Sequence, residues 1–141
     1  MGAAHLPPAM KLATEIKQVL HEKLAINAII NPLTAHYRCR NGELLTSSEK
    51  RSDFNALSSE VATLFNQLNW KTGFDIQQQA EKVAAATAQN QSSTFQDVLH
   101  QRRTELPYIC GYLLQHARQN GLNAPLTESL YQSISALEAA W

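Results

Sequence analysis

Glycine and cysteine are scarce in this sequence, and each shortage argues against a class of fold. Only five glycines occur among the 141 residues, and stretches that alternate apolar and polar residues, which mark half-buried strands, are hard to find. The two cysteines, Cys39 and Cys110, match no CxxC or zinc-ligand spacing. We therefore expect no zinc site and interpret both thiols as small packed hydrophobes, with a disulfide between them left open as the alternative.

Net charge and long apolar runs are also lacking. Lys and Arg number 12, and Asp and Glu number 12, so no net field draws the protein to nucleic acid or to an anionic membrane. Apolar runs such as residues 28–30 fall far short of the ~20 residues that span a bilayer, and the N-terminus has no signal-peptide pattern. These features predict a soluble, cytoplasmic protein without nucleic-acid or membrane partners.

Helical periodicity, by contrast, is abundant. Apolar residues recur at i, i+3 and i+4 in almost every segment, and the length suits one domain. We predict an all-α fold of about six helices in residues 10–141, after an irregular segment over residues 1–9. The first helix is predicted from Met10 to about Ile30, where Pro32 ends or kinks it. Its buried positions are expected to include Ile16, Val19, Leu20, Leu24 and Ile26.

The later helices are marked by capping and stop signals. An Asn41-Gly42 pair predicts a turn with positive φ angles after the first helix. Hydroxyl or carboxylate residues followed three positions later by Glu or Gln predict helix caps. These pairs are Thr46 with Glu49, Asp75 with Gln78, and Ser93 with Gln96. The predicted helices cover residues 48–70, 75–88, a stretch from 93 onwards, a stretch from 104 or 107 to 119, and 125–139.

Three polar residues stand out within the apolar first helix. Lys23, Asn27 and Asn31 are spaced i, i+4 and i+8, so they fall within an arc of ~80° on one side of the helix. One interpretation is that this polar line is simply a solvated face. The other is that the lysine ammonium protonates or polarises a substrate oxygen while the two amides orient a small polar molecule.

Other candidate residues are weaker when taken alone. Ser92-Ser93 before a predicted helix could hold an anion or serve as an ordinary N-cap. Glu105, which follows Arg102-Arg103, could pair with Lys23 or belong to a solvated charge cluster. The histidines show no ligand spacing, so we assign no metal site.

Several segments, in the right order, resemble the C-terminal domain of ketopantoate reductases. The first is KLAINAIINPLTA at 23–35, followed by NGEL at 41–44. The later ones are AQNQSSTFQDV at 88–98, RRTELPYICGYLLQHAR at 102–118 and APLTESLYQ at 124–132. Together they cover about nine-tenths of the chain and are specific, whereas any one alone would not be.

The resemblance implies an activity and roles for particular residues. The family reduces 2-dehydropantoate to pantoate with NADPH, and the hydride comes from a Rossmann domain N-terminal to the helical one. Lys23 corresponds to the catalytic proton donor, and Glu105 to the acidic residue that supports it. Asn27, Asn31 and Ser93 correspond to substrate-binding positions. Asn41 matches a further asparagine at the cleft and is also expected to bind substrate, and Asp97 is a supporting residue.

Two departures from the family pattern limit this interpretation. Pro107 and Cys110 stand where the family more often has an acidic residue and an asparagine, which leaves the shape of the Glu105 helix open. The chain also has no GxGxxG and no βαβ pattern, so NADPH would be bound mainly by the missing domain. We therefore expect a fragment that is inactive alone, with a homodimer left open. The alternative is a stand-alone helical interaction or dimerisation module without catalysis.

Overall fold

Helices make up all the regular secondary structure of residues 7–141, which are the residues that the computed structural model describes, and no strand occurs among them. The all-α prediction is confirmed, with a one-turn α2 in addition to six longer helices. No helix within that range is long and apolar enough to cross a membrane. The helices are α1 (Pro8–Tyr37), α2 (Glu43–Thr46), α3 (Ser48–Gln67), α4 (Ile76–Ala86), α5 (Ser93–Leu99), a π segment (Pro107–Gly111), α6 (Tyr112–Gln119) and α7 (Pro125–Ala139).

The 30-residue helix α1 lies at the centre of the fold. Residues 25–35 are buried except for Asn27, and α3, α4, α5 and α7 all pack against α1. Helix α1 continues through Pro32 to Tyr37 and therefore ends later than the predicted end near Ile30. Proline removes one backbone donor from a helix, but here the packing on several sides of α1 holds the following turn in helical form.

The N-terminal half of α1 is mostly exposed, which corrects part of the predicted core. Ile16, Val19 and Leu20 were expected to be buried, yet they are 52%, 55% and 61% exposed. Among the described residues, His21 is the first buried one. Periodicity identified an apolar helix face correctly, but the part of the chain described here contains nothing that covers this face.

Of the three predicted caps, one is confirmed, one lies one residue earlier than predicted and one is not formed. Asp75 accepts the Gln78 N–H at 2.9 Å at the start of α4. The cap of α5 is Ser92 and not Ser93, because the Ser92 hydroxyl accepts the Phe95 N–H at 3.1 Å. Helix α3 begins after Ser47 without any side-chain cap, so the predicted Thr46–Glu49 capping box is not formed.

The N-terminal end of α7 is capped by a residue from another helix. Ala124 at the N-cap position has no side-chain acceptor, and Glu60 of α3 supplies one instead. The Glu60 carboxylate accepts the Leu126 N–H at 3.0 Å, the Thr127 N–H at 2.7 Å and the Thr127 hydroxyl at 2.8 Å. A negative charge at a helix N-terminus is favourable, so this contact fixes where α7 begins against α3.

Gly42 is required by close packing and not by a positive φ angle. Its φ is −66°, which corrects the predicted left-handed turn, and its N–H donates to the Ala88 carbonyl at 3.0 Å. A Cβ atom at this position would lie 2.6 Å from Ala88 Cβ. The turn after α1 can therefore approach the α4–α5 connection only if residue 42 has no side chain.

We predict that Gly42→Ala destabilises the domain by about 1–3 kcal/mol, because the backbone around Ala88 must move to accommodate the new methyl group. Gly73→Ala is the control, since its Cβ would meet only the ends of the Glu22 and Gln18 side chains at 3.3 Å or more. Urea unfolding of both variants measures the difference. Equal stability losses would contradict the close-packing explanation.

His21 is a buried, desolvated histidine in an aromatic cluster. It is 7% exposed and stacks on Trp70, with ring centroids 4.1 Å apart and the planes 18° from parallel. Burial, and then the positive charge of Lys17 and the nearby His116, lower the pKa of His21 from its ordinary 6.5. The folded state therefore favours the neutral imidazole.

The lowered pKa of His21 predicts a pH-dependent stability. The contribution is fully present above pH 6.5 and is lost as the pH falls from there towards the folded-state pKa, because the unfolded chain binds a proton that the folded chain does not. In urea unfolding between pH 5 and 8, His21→Phe should reduce this slope, while His100→Gln at an exposed position should not. An unchanged slope in His21→Phe would rule out His21 as its source.

Candidate functional site

The polar line of α1 lies on the one side of its buried half that reaches solvent. Lys23 and Asn27 are exposed, whereas Asn31 is 8% exposed. Within residues 7–141, none of these three side chains forms an ion pair or a hydrogen bond with another residue. The Lys23 ammonium and the Asn27 amide are therefore open to a ligand, whereas the Asn31 amide is buried without a hydrogen-bond partner in the described residues.

Helix α5 is joined to α1 by a buried pair of hydroxyl groups. Thr34 Oγ1 donates to the Ile30 carbonyl at 2.7 Å and lies 2.6 Å from Ser92 Oγ. Because the Thr34 hydrogen is used by Ile30, the Ser92 hydroxyl donates to Thr34. This bond holds the exposed Ser93 beside the turn of α1 that carries Asn31. Sequence reasoning considered Ser92 and Ser93 together but could not identify this partner.

Glu105 is an exposed residue between two buried ones. Thr104 is 7% exposed, and Leu106 is fully buried in a small core cluster with Ala35 of α1 and Val98 of α5. The candidate acid is therefore held next to the same half of α1 as Ser93. In the described part of the chain, Glu105 and Lys23 form no ion pair, so the direct pairing that the sequence allowed is not formed.

The departures at Pro107 and Cys110 coincide with a change of helix type. Residues from Pro107 to Gly111 form a π-helical turn that begins two residues after Glu105, and such turns occur frequently at functional sites. Cys110 is fully buried, and burial raises the pKa of its thiol to about 12. Cys110 is therefore a packing residue of the π segment and not a nucleophile.

Asn41 and Asp97 make contacts that hold connecting segments. Asn41 is 7% exposed, and its Nδ2 donates to Thr87 Oγ1 at 2.9 Å. It lies in the turn after α1, which ends at Tyr37. Asp97 accepts from Arg102 Nε at 3.2 Å at the end of α5. In the described part of the chain, neither side chain forms a hydrogen bond or an ion pair with Lys23.

A cavity of about 340 Å³ lies beside the polar line. It is lined by residues of α1 close to Lys23 in sequence and by two tyrosines of the π segment and α6, a size that accommodates a small organic group. Sequence reasoning missed both tyrosines, although their i, i+4 spacing was available as a signal. The lining residues are Lys17, Leu20, His21, Leu24, Tyr108 and Tyr112.

Comparison with known proteins identifies a family for most of the chain. The family described as "Ketopantoate reductase PanE/ApbA C terminal" matches residues 15–138. The 2-dehydropantoate 2-reductase of Salmonella typhimurium is 37% identical over 135 residues, which are 95% of this chain and 44% of that enzyme. The chain thus spans less than half the length of this relative.

Solved structures show the same helical architecture. The crystal structure of a probable 2-dehydropantoate 2-reductase from Bacillus subtilis superposes with a TM-score of 0.78 at 37% identity, covering 86% of this chain and 41% of that one. A D-mandelate dehydrogenase solved with NADH and anilino(oxo)acetate gives a TM-score of 0.77 at 19% identity, covering 87% of this chain and 41% of that one. The latter likeness concerns the fold alone.

Proposed function

The chain belongs to the ketopantoate reductase family through its C-terminal domain, and from this premise we propose that it is the substrate-binding and proton-donating part of a 2-dehydropantoate 2-reductase. The observation that carries the proposal is the free ammonium of Lys23, exposed at the edge of a buried helix beside Asn27 and Asn31. Reduction of a 2-keto acid requires a hydride at the carbonyl carbon and a proton at its oxygen. Lys23 is suited to the second task.

The proton is transferred from Lys23 Nζ to the oxygen of the reduced carbonyl. A lysine ammonium at the edge of an apolar helix is a suitable general acid, because it carries a transferable proton within reach of a bound carbonyl oxygen. Before the transfer, the positive charge polarises the carbonyl group and stabilises the developing alkoxide. Glu105, on the segment that packs on the same half of α1, supports the ammonium through the bound substrate or solvent.

The substrate is oriented by uncharged polar groups. Asn27 and Asn31 follow Lys23 at one and two helical turns, so their amides can bind carboxylate and hydroxyl oxygens of one small molecule. Ser93, held beside α1 by the Ser92–Thr34 bond, adds a hydroxyl from a second helix. In this scheme Asn41 is a further substrate-binding residue, as the family resemblance implies, and Asp97 supports the segment after α5 through its bond with Arg102.

The described residues do not by themselves form a dinucleotide site. Residues 7–141 contain no strand, whereas Rossmann-type coenzyme binding requires a glycine-rich turn between a strand and a helix. The NADPH that the family resemblance implies as hydride source therefore needs a separate nucleotide-binding domain. This domain is the proposed partner, and without it the chain should be inactive.

Lys23→Ala should lower kcat for NADPH oxidation with 2-dehydropantoate by ~100-fold or more, because general acid catalysis contributes about that much. The measurement uses this chain joined to the nucleotide-binding domain of the Bacillus subtilis relative. Lys82→Ala is the control, an exposed lysine on α4, and should keep kcat within about threefold. A folded chimera without turnover, or equal rates in both variants, would contradict the proposal.

The proposed partner domain has a matching surface on α1. Leu12, Ile16, Val19 and Leu20 are between 52% and 61% exposed, and all four project within ~60° of Lys23 around the helix axis. We call these four residues the apolar stripe. It continues the polar line towards the N-terminus, so a domain that covers the stripe also closes over Lys23. Exposed apolar patches of this kind mark contact surfaces.

Ile16→Glu in the apolar stripe should weaken association of this chain with the separately produced nucleotide-binding domain by at least ~10-fold, because it places a charge in an apolar contact. Calorimetric titration of the two proteins measures the affinity. Leu126→Glu is the control, since Leu126 is 41% exposed on α7, and it should bind as the unchanged chain does. If Ile16→Glu instead abolishes only self-association, the stripe pairs two copies and the dimerisation alternative gains support.

A further inference from the structure

Glu138 is a buried carboxylate near the end of α7 that holds a single residue of the chain. It is 8% exposed, and its two oxygens accept the Thr104 N–H at 2.9 Å and the Thr104 hydroxyl at 3.0 Å. Within residues 7–141 no ion pair neutralises the carboxylate, although Arg103 Nη1 donates to the Glu138 backbone carbonyl at 3.4 Å. Burying an unpaired carboxylate is costly, and the position is unfavourable for a negative charge because it lies at a helix C-terminus.

The bonds of Glu138 fix the backbone on both sides of Glu105. Thr104 Oγ1 donates to Glu138 and also accepts the Leu106 N–H at 3.4 Å. The residues before and after Glu105 are thus both tied to one carboxylate. Leu106 is fully buried, and the Glu105 carbonyl accepts the Tyr108 N–H at 2.9 Å at the start of the π segment.

We propose that Glu138 is a positioning residue for Glu105: by holding Thr104 and, through it, Leu106, it sets the direction in which the Glu105 carboxylate leaves the chain. The inference rests on the proposed function, because it concerns the acid that supports Lys23. Small displacements of a catalytic group lower the reaction rate strongly, since a shift of about 1 Å can reduce it ~100-fold. The two hydrogen bonds from Thr104 compensate part of the free-energy cost of burying the Glu138 carboxylate. The same bonds keep Glu105 aligned.

Glu60 provides a matched control for a purely structural role. It also holds a threonine by its N–H and hydroxyl, at Thr127, and it lies at the opposite end of α7. Glu60→Ala and Glu138→Ala should therefore lower Tm by comparable amounts. Only Glu138→Ala should lower kcat of the two-domain chimera, by ~10-fold or more, at a temperature where both variants are fully folded. Glu138→Gln, which keeps one acceptor oxygen, should recover most of the loss.

A double-variant cycle tests whether Glu138 acts through Glu105. If it does, Glu138→Ala has little further effect on kcat in a chain that already carries Glu105→Ala. Independent losses that multiply would overturn the positioning role while leaving the proposed function intact. If Glu105→Ala alone does not change kcat, the assigned role of Glu105 fails and the positioning role fails with it. A drop in kcat for Glu60→Ala equal to that for Glu138→Ala would show only general loosening of α7 and would also overturn the proposal.

Discussion

Burial of the C-terminal half of α1 is the constraint on which the rest of the structure depends. Four helices pack around residues 25–35, so each polar group on this stretch must find a partner or face the gap between the neighbouring helices. Thr34 meets this condition by bonding to Ile30 and Ser92. Asn27 meets it by facing solvent, as Lys23 does two residues before this stretch. The position of the candidate site therefore follows from which side of α1 the other helices leave open.

Helix starts could be predicted from the sequence where residues close to them in the chain determine them. Asp75 caps α4 through a bond to Gln78, three residues away, and Pro125 opens α7 at the first helical position, where its missing N–H costs nothing. The motif residues of the polar line also fall on one side of α1. Their exposure, however, depends on which helices surround them, and spacing contains no information about that.

Tertiary partners decided the features that were predicted wrongly or missed. Ser92 and Ser93 are equivalent as caps in sequence, and only the buried hydroxyl of Thr34 distinguishes them. Pro32 would end an isolated helix, but packing overrides the local preference. Glu138 gave no signal at all, because its partner Thr104 lies 34 residues away along the chain. Long-range hydrogen bonds of this type cannot be derived from periodicity or capping rules.

The continuity of α1 also has a mechanical consequence. A single helix of 30 residues, about 45 Å long at 1.5 Å per residue, carries the apolar stripe at one end and the buried half at the other, with Lys23 between them. Because an intact helix is stiff, a rotation or tilt applied at residues 12–20 reaches Lys23 as a rigid-body movement. α1 is therefore a lever whose pivot is the packed core, and its exposed arm can transmit the position of whatever binds there to the proton donor.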